Sequence, residues 1–323
     1  MTGDRPGPVV CFSYLAAASL WNVERFPEAN HGAEVQRAEA SIAADGPMVA
    51  AVLAALDVPT LVISNGIGED APGDQIRTWL HRNRVTTTAE TVPGIATPQI
   101  VIVADEQGTR TWFPHLPGVP EALTVVDLAP LTGASFAYVD CYQLIEPAAV
   151  RAIHAARTAG VPLLVNLGGS VLSPAVASAV QGYPDLIIQT NVDDTEHEAA
   201  PAMAGALVDQ TGASWAVVTT GAFGAVAAAM DDLVTVPAFE VEVRHTHCAG
   251  AAFSGGLIYG LLHTLPMTDT LILATASGGL RCKCAHHGPL PGLEELRVFI
   301  SEHRHGAGLG RRASQASDYR SGE

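Results

Sequence analysis

The feature that most constrains this chain is an alternation. Short runs of aliphatic and β-branched residues at 136–139, 161–166, 185–189 and 215–219 take turns with helix-patterned segments at 147–159, 174–180 and 196–211. Strands that recur after a helix-length crossover pair in parallel, and a parallel sheet has to be covered on both faces. The alternation therefore predicts an α/β fold, with a central, mostly parallel sheet and helices on both sides. Ligands of such sheets lie beyond the carboxyl ends of the strands. Upstream, the pattern predicts a helix from near Pro47 to Leu56, a buried strand over 60–64, and a helix over 73–84 with Ile76, Trp79 and Leu80 on one face. Residues 99–104 and 109–113 flank Asp105-Glu-Gln-Gly108, a hairpin pattern.

Composition sets the outer limits. A chain of 323 residues, 48% hydrophobic, can bury one large core, and one α/β domain over 1–302 with a small appendage fits it better than two full domains. Residues 303–323 carry Gly, Ser, Arg and Asp with almost no apolar side chains and are expected to form a disordered tail. A net charge of -16, with no basic cluster before the tail, argues against nucleic acid as a partner. No apolar run is long enough to span a membrane, and no secretory h-region precedes the first strand-like segment. Five cysteines, an odd number in a long chain, point to reduced thiols and a cytoplasmic location.

One stretch carries the chemistry. A β-branched, alternating run over 233–243 leads into Val243-Arg-His-Thr-His-Cys-Ala-Gly-Ala-Ala-Phe-Ser-Gly-Gly256, and a small-residue apolar helix leads out. A strand, a tight turn and a helix N-terminus together outline an anion site, because unpaired backbone N–H groups and the positive end of the helix dipole converge there. The frame resembles the signature D-T-x-G-A-G-D-x-F-x-G-G of the ribokinase (PfkB) family of sugar and nucleoside kinases. Thr246, Ala249, Gly250, Phe253, Gly255 and Gly256 fall in register. His245 stands for the first Asp, Cys248 for the first Gly, and Ala251 for the last Asp, which is the family's catalytic base.

The resemblance extends over roughly residues 8–302. Ile67-Gly-Glu-Asp-Ala-Pro-Gly73 is similar to the family's V-G-x-D-x-x-G, and Gly108 with 110–113 to its G-x-R-x-x hairpin. Asn191-Val-Asp-Asp194 is similar to N-x-x-E, and Val218-Thr-Thr-Gly-Ala-Phe-Gly224 to V-T-x-G-x-x-G. The resemblance implies a ribokinase-like α/β fold with a small β lid built from about 8–40 and 98–114. It also implies a purine nucleotide such as ATP held at Thr219, Gly221 and Gly224, and magnesium ordered near Asn191 and Asp194. A monovalent cation on backbone carbonyls of the segments around 245–248 and 281–286, a small-molecule substrate, and a homodimer paired through the lids follow from it as well.

The acceptor half departs from the family. The first strand's sugar-binding Asp has no counterpart in 15–19, and G-G-x-x-x-N-x-A reads Ala43-Ala-Asp-Gly-Pro-Met-Val-Ala50, with Ala43 and Ala44 for the glycines and Met48 for the Asn. Each lost hydrogen bond to a buried sugar hydroxyl costs about 1–3 kcal/mol, so ordinary sugars are expected to bind poorly. His245 or His247 is a candidate substitute base, since imidazole titrates near neutrality. Asp140 and Asp194 are candidate acids in the cleft, Asp140 reading equally as a loop residue at a strand end. Cys282 and His286, with His245 and His247, form a candidate zinc site of thiolate and imidazole. Trp112 and Phe113 read as lid or dimer-face packing. Three functional readings follow: a diverged kinase acting on a non-sugar or modified small molecule, a catalytically silent nucleotide sensor or scaffold, and an enzyme of different chemistry using the His/Cys cluster.

Overall fold

The computed structural model describes residues 7–106, 110–285 and 288–306. Along the chain come β1 (Val9–Phe12), β2 (Ala16–Asn22), β3 (Arg37–Ala43), α1 (Asp45–Ala55), β4 (Thr60–Ile63), β5 (Ile67–Gly68), α2 (Ala71–Arg82), β6 (Thr86–Thr87) and β7 (Thr91–Val92). The hairpin strands β8 (Gln99–Ala104) and β9 (Arg110–His115) follow, then α3 (Val119–Val125), β10 (Phe136–Asp140), α4 (Glu146–Ala159), β11 (Leu163–Asn166), α5 (Pro174–Val180) and β12 (Leu186–Asn191). The last third holds α6 (Ala200–Thr211), β13 (Trp215–Thr219), β14 (Ala225–Ala228), β15 (Leu233–Val236), α7 (Ala249–Leu262), α8 (Met267–Lys283) and α9 (Leu293–Gly306).

The expected α/β architecture is present. Nine strands form one sheet in the order β15-β14-β13-β12-β11-β10-β1-β4-β6. All neighbours from β12–β13 across to β4–β6 are parallel, and the β13–β14 and β14–β15 pairs are antiparallel, so β14 alone runs against the others. Side chains alternate faces along each strand. In β1, Val9 and Cys11 join the core under α1, α7 and α8, whereas Val10 and Phe12 join the core under α4, α5 and α6. All four are fully buried, which is why the segment reads as a continuous apolar run rather than an alternating one. Helix α7 is built of small and aliphatic residues and is buried along most of its length, so α8 packs close against it.

A second sheet, β3-β2-β8-β9, forms the lid. Its bounds differ from those expected. Residues 9–12 belong to the central sheet, and the lid begins at Ala16, because Val9 to Phe12 pair with both β4 and β10. Other boundaries shift too. Helix α1 starts at Asp45, two residues ahead of Pro47, since Pro suits the first turn of a helix. The strand leading to the anion turn stops at Val236, and 237–248 has no regular structure apart from turns. Residues 194–199 form a 3-10 segment before α6, and α9 carries the chain to Gly306, past the expected start of the tail. The rest of the tail and the hairpin tip at 107–109 lie outside the described residues.

Candidate active site

The carboxyl ends of β1, β10 and β11 meet the N-terminus of α1, and a buried polar network fills the junction. Asp140, the last residue of β10, is fully buried; it is not the loop residue that its place at a strand end also allowed. Its Oδ2 accepts from Ser13 Oγ at 2.5 Å and from the Gly46 amide at 3.0 Å. Its Oδ1 accepts from Tyr138 OH at 2.6 Å and from Asn166 Nδ2 at 3.2 Å. Asn166 Nδ2 also donates to Asp45 Oδ2 at 3.1 Å, and Tyr142 OH donates to the same oxygen at 2.6 Å. One amide thus bridges two carboxylates. Burial, and then the negative charge of Asp45, push Asp140 up to about 7. Burial raises Asp45 as well, against the hydrogen bonds from Tyr142 and Asn166 and the charge of Arg110. Two acids in one dry site hold on to a proton between them.

Asp140 has four donors and is saturated. Asp45 is only partly buried, and among the described residues its Oδ1 carries no hydrogen bond. Backbone geometry holds the pair together. Ala44, just before α1, sits at φ 79, ψ 155, a conformation that costs any residue with a Cβ. Gly46 lets the helix approach β1, because a Cβ there would lie 2.5 Å from Ser13 Cβ. Of the three expected substrate-side residues, Ala43 is 2% exposed at the end of β3 and Ala44 adjoins Asp45. Met48 is buried in the core beside a small cavity it shares with Trp79, Asn83 and Arg281.

The anion turn lies at the start of α7. Cys248 precedes the helix at φ 60, ψ 22, the left-handed conformation that favours glycine. The amides of Gly250 and Ala251 follow in the first turn, where intrahelical partners are lacking. Ala251, where the resemblance expects the family's Asp, is fully buried. The turn is tied to its surroundings by carbonyls. Arg110 of the lid donates from Nη1 to Thr246 O at 3.1 Å, His245 Nε2 lies 2.9 Å from Cys284 O, and His247 Nε2 lies 3.1 Å from Ile42 O. Burial, then the charge of Arg281, lower His245 to about 4 and His247 to about 3. Both rings are neutral at pH 7 with Nε2 turned to a carbonyl, so Nε2 carries the proton and donates it. That is a poor arrangement for a general base. Cys248 Sγ lies 3.2 Å from His247 Nε2, and burial pushes the thiol up to about 12, so it is not a thiolate.

The residues expected on the phosphate side cluster at the neighbouring strand ends. Asn191 closes β12 opposite Thr219 of β13, and a short turn, Gly221–Phe223, follows. Asp194 faces that turn, its Oδ1 accepting weakly from the Ala222 amide at 3.4 Å. Gly224 is at φ 102, and a Cβ there would lie 2.0 Å from Val236 O. Its glycine is thus demanded by the chain's own hairpin. Among the described residues no three His, Cys, Asp or Glu side chains converge to hold a metal. Cys282 is half-buried with its thiol raised by burial, and His286 lies outside the described residues.

Sequence reasoning missed Asp45, Asn166, Tyr138, Tyr142, Ser13, Arg110 and Arg281. A signal existed for two of them. Asn166, like Asp140, ends a parallel strand, where ligands of such sheets bind. Asp45 stands inside the altered glycine motif itself.

The model of the pfkB family carbohydrate kinases matches residues 9–291, and the chain belongs to that family. The fold is similar to Arabidopsis thaliana ribokinase, solved with ribose and ATP (TM-score 0.73, 18% identity, 92% of this chain and 99% of that one). It is similar as well to the Methanocaldococcus jannaschii nucleoside kinase (TM-score 0.74, 14% identity, 93% and 100% covered). Burkholderia thailandensis nucleoside kinase, solved with inosine, gives a TM-score of 0.74 at 17% identity, with 91% and 97% covered. No curated protein sequence matches the chain.

Proposed function

We propose that the chain is a nucleotide-dependent phosphotransferase whose acceptor is a small molecule other than an ordinary sugar, engaged by Asp45. The observation that carries this reading is the Asn166-bridged pair of Asp45 and Asp140 at the carboxyl ends of β10 and β11, with Asp45 Oδ1 left for a ligand. ATP is the expected donor, since a related kinase was solved with it. Its phosphates are taken at the Thr219–Gly224 turn and the start of α7, with magnesium near Asn191 and Asp194. The family's carboxylate is gone from 251, so Asp45 is the group assigned to accept the hydroxyl or amine proton as the acceptor attacks. A carboxylate oxygen of Asp45 open to a ligand, beside Ala43, Ala44 and Met48 in the expected glycine and Asn positions, favours acceptors rich in donors, amino groups included, over plain pentoses. Trp112 and Phe113, 56% and 58% exposed on edge strand β9, support a homodimer through the lid.

The test is ATP consumption against a panel of hydroxyl- and amino-bearing acceptors, with Asp45→Asn beside the wild type. Loss of a base lowers the rate by about 10²–10⁴-fold. A rate unchanged in Asp45→Asn refutes the role of Asp45. A second reading, a nucleotide-binding protein without turnover, draws on the buried Ala251 in the base position. Nucleotide binding with no ATP consumption on any acceptor would favour it.

A further inference from the structure

The turn that leaves β11 touches both halves of the site. Gly168 and Gly169 stand there at φ 57 and φ 79, and both are exposed. A Cβ at 168 would lie 2.7 Å from Cε1 of Tyr142, the ring whose hydroxyl donates to Asp45. A Cβ at 169 would lie 2.9 Å from Nδ2 and 3.1 Å from Oδ1 of Asn191, the residue that closes β12. A left-handed backbone alone is open to Asn and Asp as well as to Gly. The two close approaches are open to Gly alone.

The same turn fixes the bridging amide. The Gly168 N–H donates to Asn166 Oδ1 at 3.1 Å. With its oxygen engaged, Asn166 presents Nδ2 to Asp45 and Asp140, and the opposite flip would set an oxygen against their carboxylate oxygens. The turn is itself anchored to the sheet. The Leu167 amide donates to Gln189 O of β12 at 2.8 Å, and the Ser170 amide donates back to Leu167 O at 3.0 Å.

We propose that Gly168 and Gly169 are positioning residues that set the spacing between the acceptor carboxylate and the magnesium side of the site. Gly168 seats the Tyr142 ring and the Asn166 amide against Asp45, and Gly169 seats the side chain of Asn191. A side chain at either position displaces one partner and leaves the other in place, so each half of the site has its own glycine. The roles given to Asp45 and Asn191 rest on the functional reading above.

Two measurements on the purified full chain test it. The first is a double-mutant cycle read by thermal unfolding. Tyr142→Phe removes one hydrogen bond to Asp45 and is expected to lower the melting temperature by about 2 °C or more. In the Gly168→Ala background most of that loss is expected to vanish, because the methyl has already moved the ring. In the Gly169→Ala background it is expected to persist. Additive losses with Gly168→Ala overturn the role of Gly168 and leave only backbone strain. The second is calorimetric titration of ATP with and without magnesium. Gly169→Ala is expected to lose about 10-fold or more of the affinity that magnesium adds, and Gly168→Ala to keep it. Equal loss in both, or none in Gly169→Ala, overturns the role of Gly169. A wild type that gains no ATP affinity from magnesium refutes the functional reading and the role of Gly169 with it, while the cycle at Gly168 is decided without nucleotide. Should either alanine variant fail to fold, Asn at the same position, which tolerates the left-handed backbone, takes its place.

Discussion

Ala44 and Cys248 stand where the resemblance expects glycine, and both have a positive φ, 79° and 60°. Each carries a side chain in that conformation and holds strain of about 1–3 kcal/mol. Ala44→Gly is therefore expected to raise stability by about 1 kcal/mol, after the added freedom of glycine in the unfolded chain is offset. Denaturant unfolding checks it, and a loss of stability would mean that the strain is absent. Asp140 gives a second prediction at this scale. Burial, then the charge of Asp45, lift it to about 7 from the ordinary 3.8. Between those values the folded chain holds a proton that the unfolded chain has lost, so this group makes stability fall as pH rises through that window. Asp45→Asn removes the neighbouring charge, brings Asp140 down and flattens the slope. A pH series of melting curves for the two proteins reads the difference. The resemblance put Ala251 at the expected base position. It did not single out Asp45, because one polar residue between Ala44 and Gly46 has no periodicity to place it, and only the approach of α1 to β10 does.

At the scale of elements, the strands from 136 to 219 were legible because parallel strands buried on both faces read as continuous apolar runs. The boundaries were less so. The 233–243 run alternates like a strand but stops pairing at Val236, and no propensity marks that point. Two junctions hold the elements in place. Asp70 caps α2, accepting from the Gly73 amide at 2.8 Å and from the Thr97 amide at 2.8 Å, and its carboxyl is held below the usual range by Thr97 first. Asp70→Ala is expected to cost about 1–2 kcal/mol in denaturant unfolding. Gly46→Ala drives a methyl into Ser13 and is expected to cost about 1–3 kcal/mol and to break the Gly46–Asp140 hydrogen bond. A neutral result would mean that α1 and β1 can separate without penalty.

For the whole molecule, the lid leaves β9 unpaired on one side, with Trp112 and Phe113 exposed on it. Light scattering is expected to give a dimeric mass for the wild type and a monomeric one for Trp112→Lys, since a charge on an edge strand opposes pairing. The central claim is that the chain keeps the nucleotide half of a kinase site while its acceptor half has changed. Calorimetric titration of ATP with magnesium tests that most directly. The account predicts saturable binding at or below millimolar nucleotide, retained in Asp45→Asn, because Asp45 serves the acceptor. No detectable binding of ATP, ADP or AMP at millimolar concentration would contradict it.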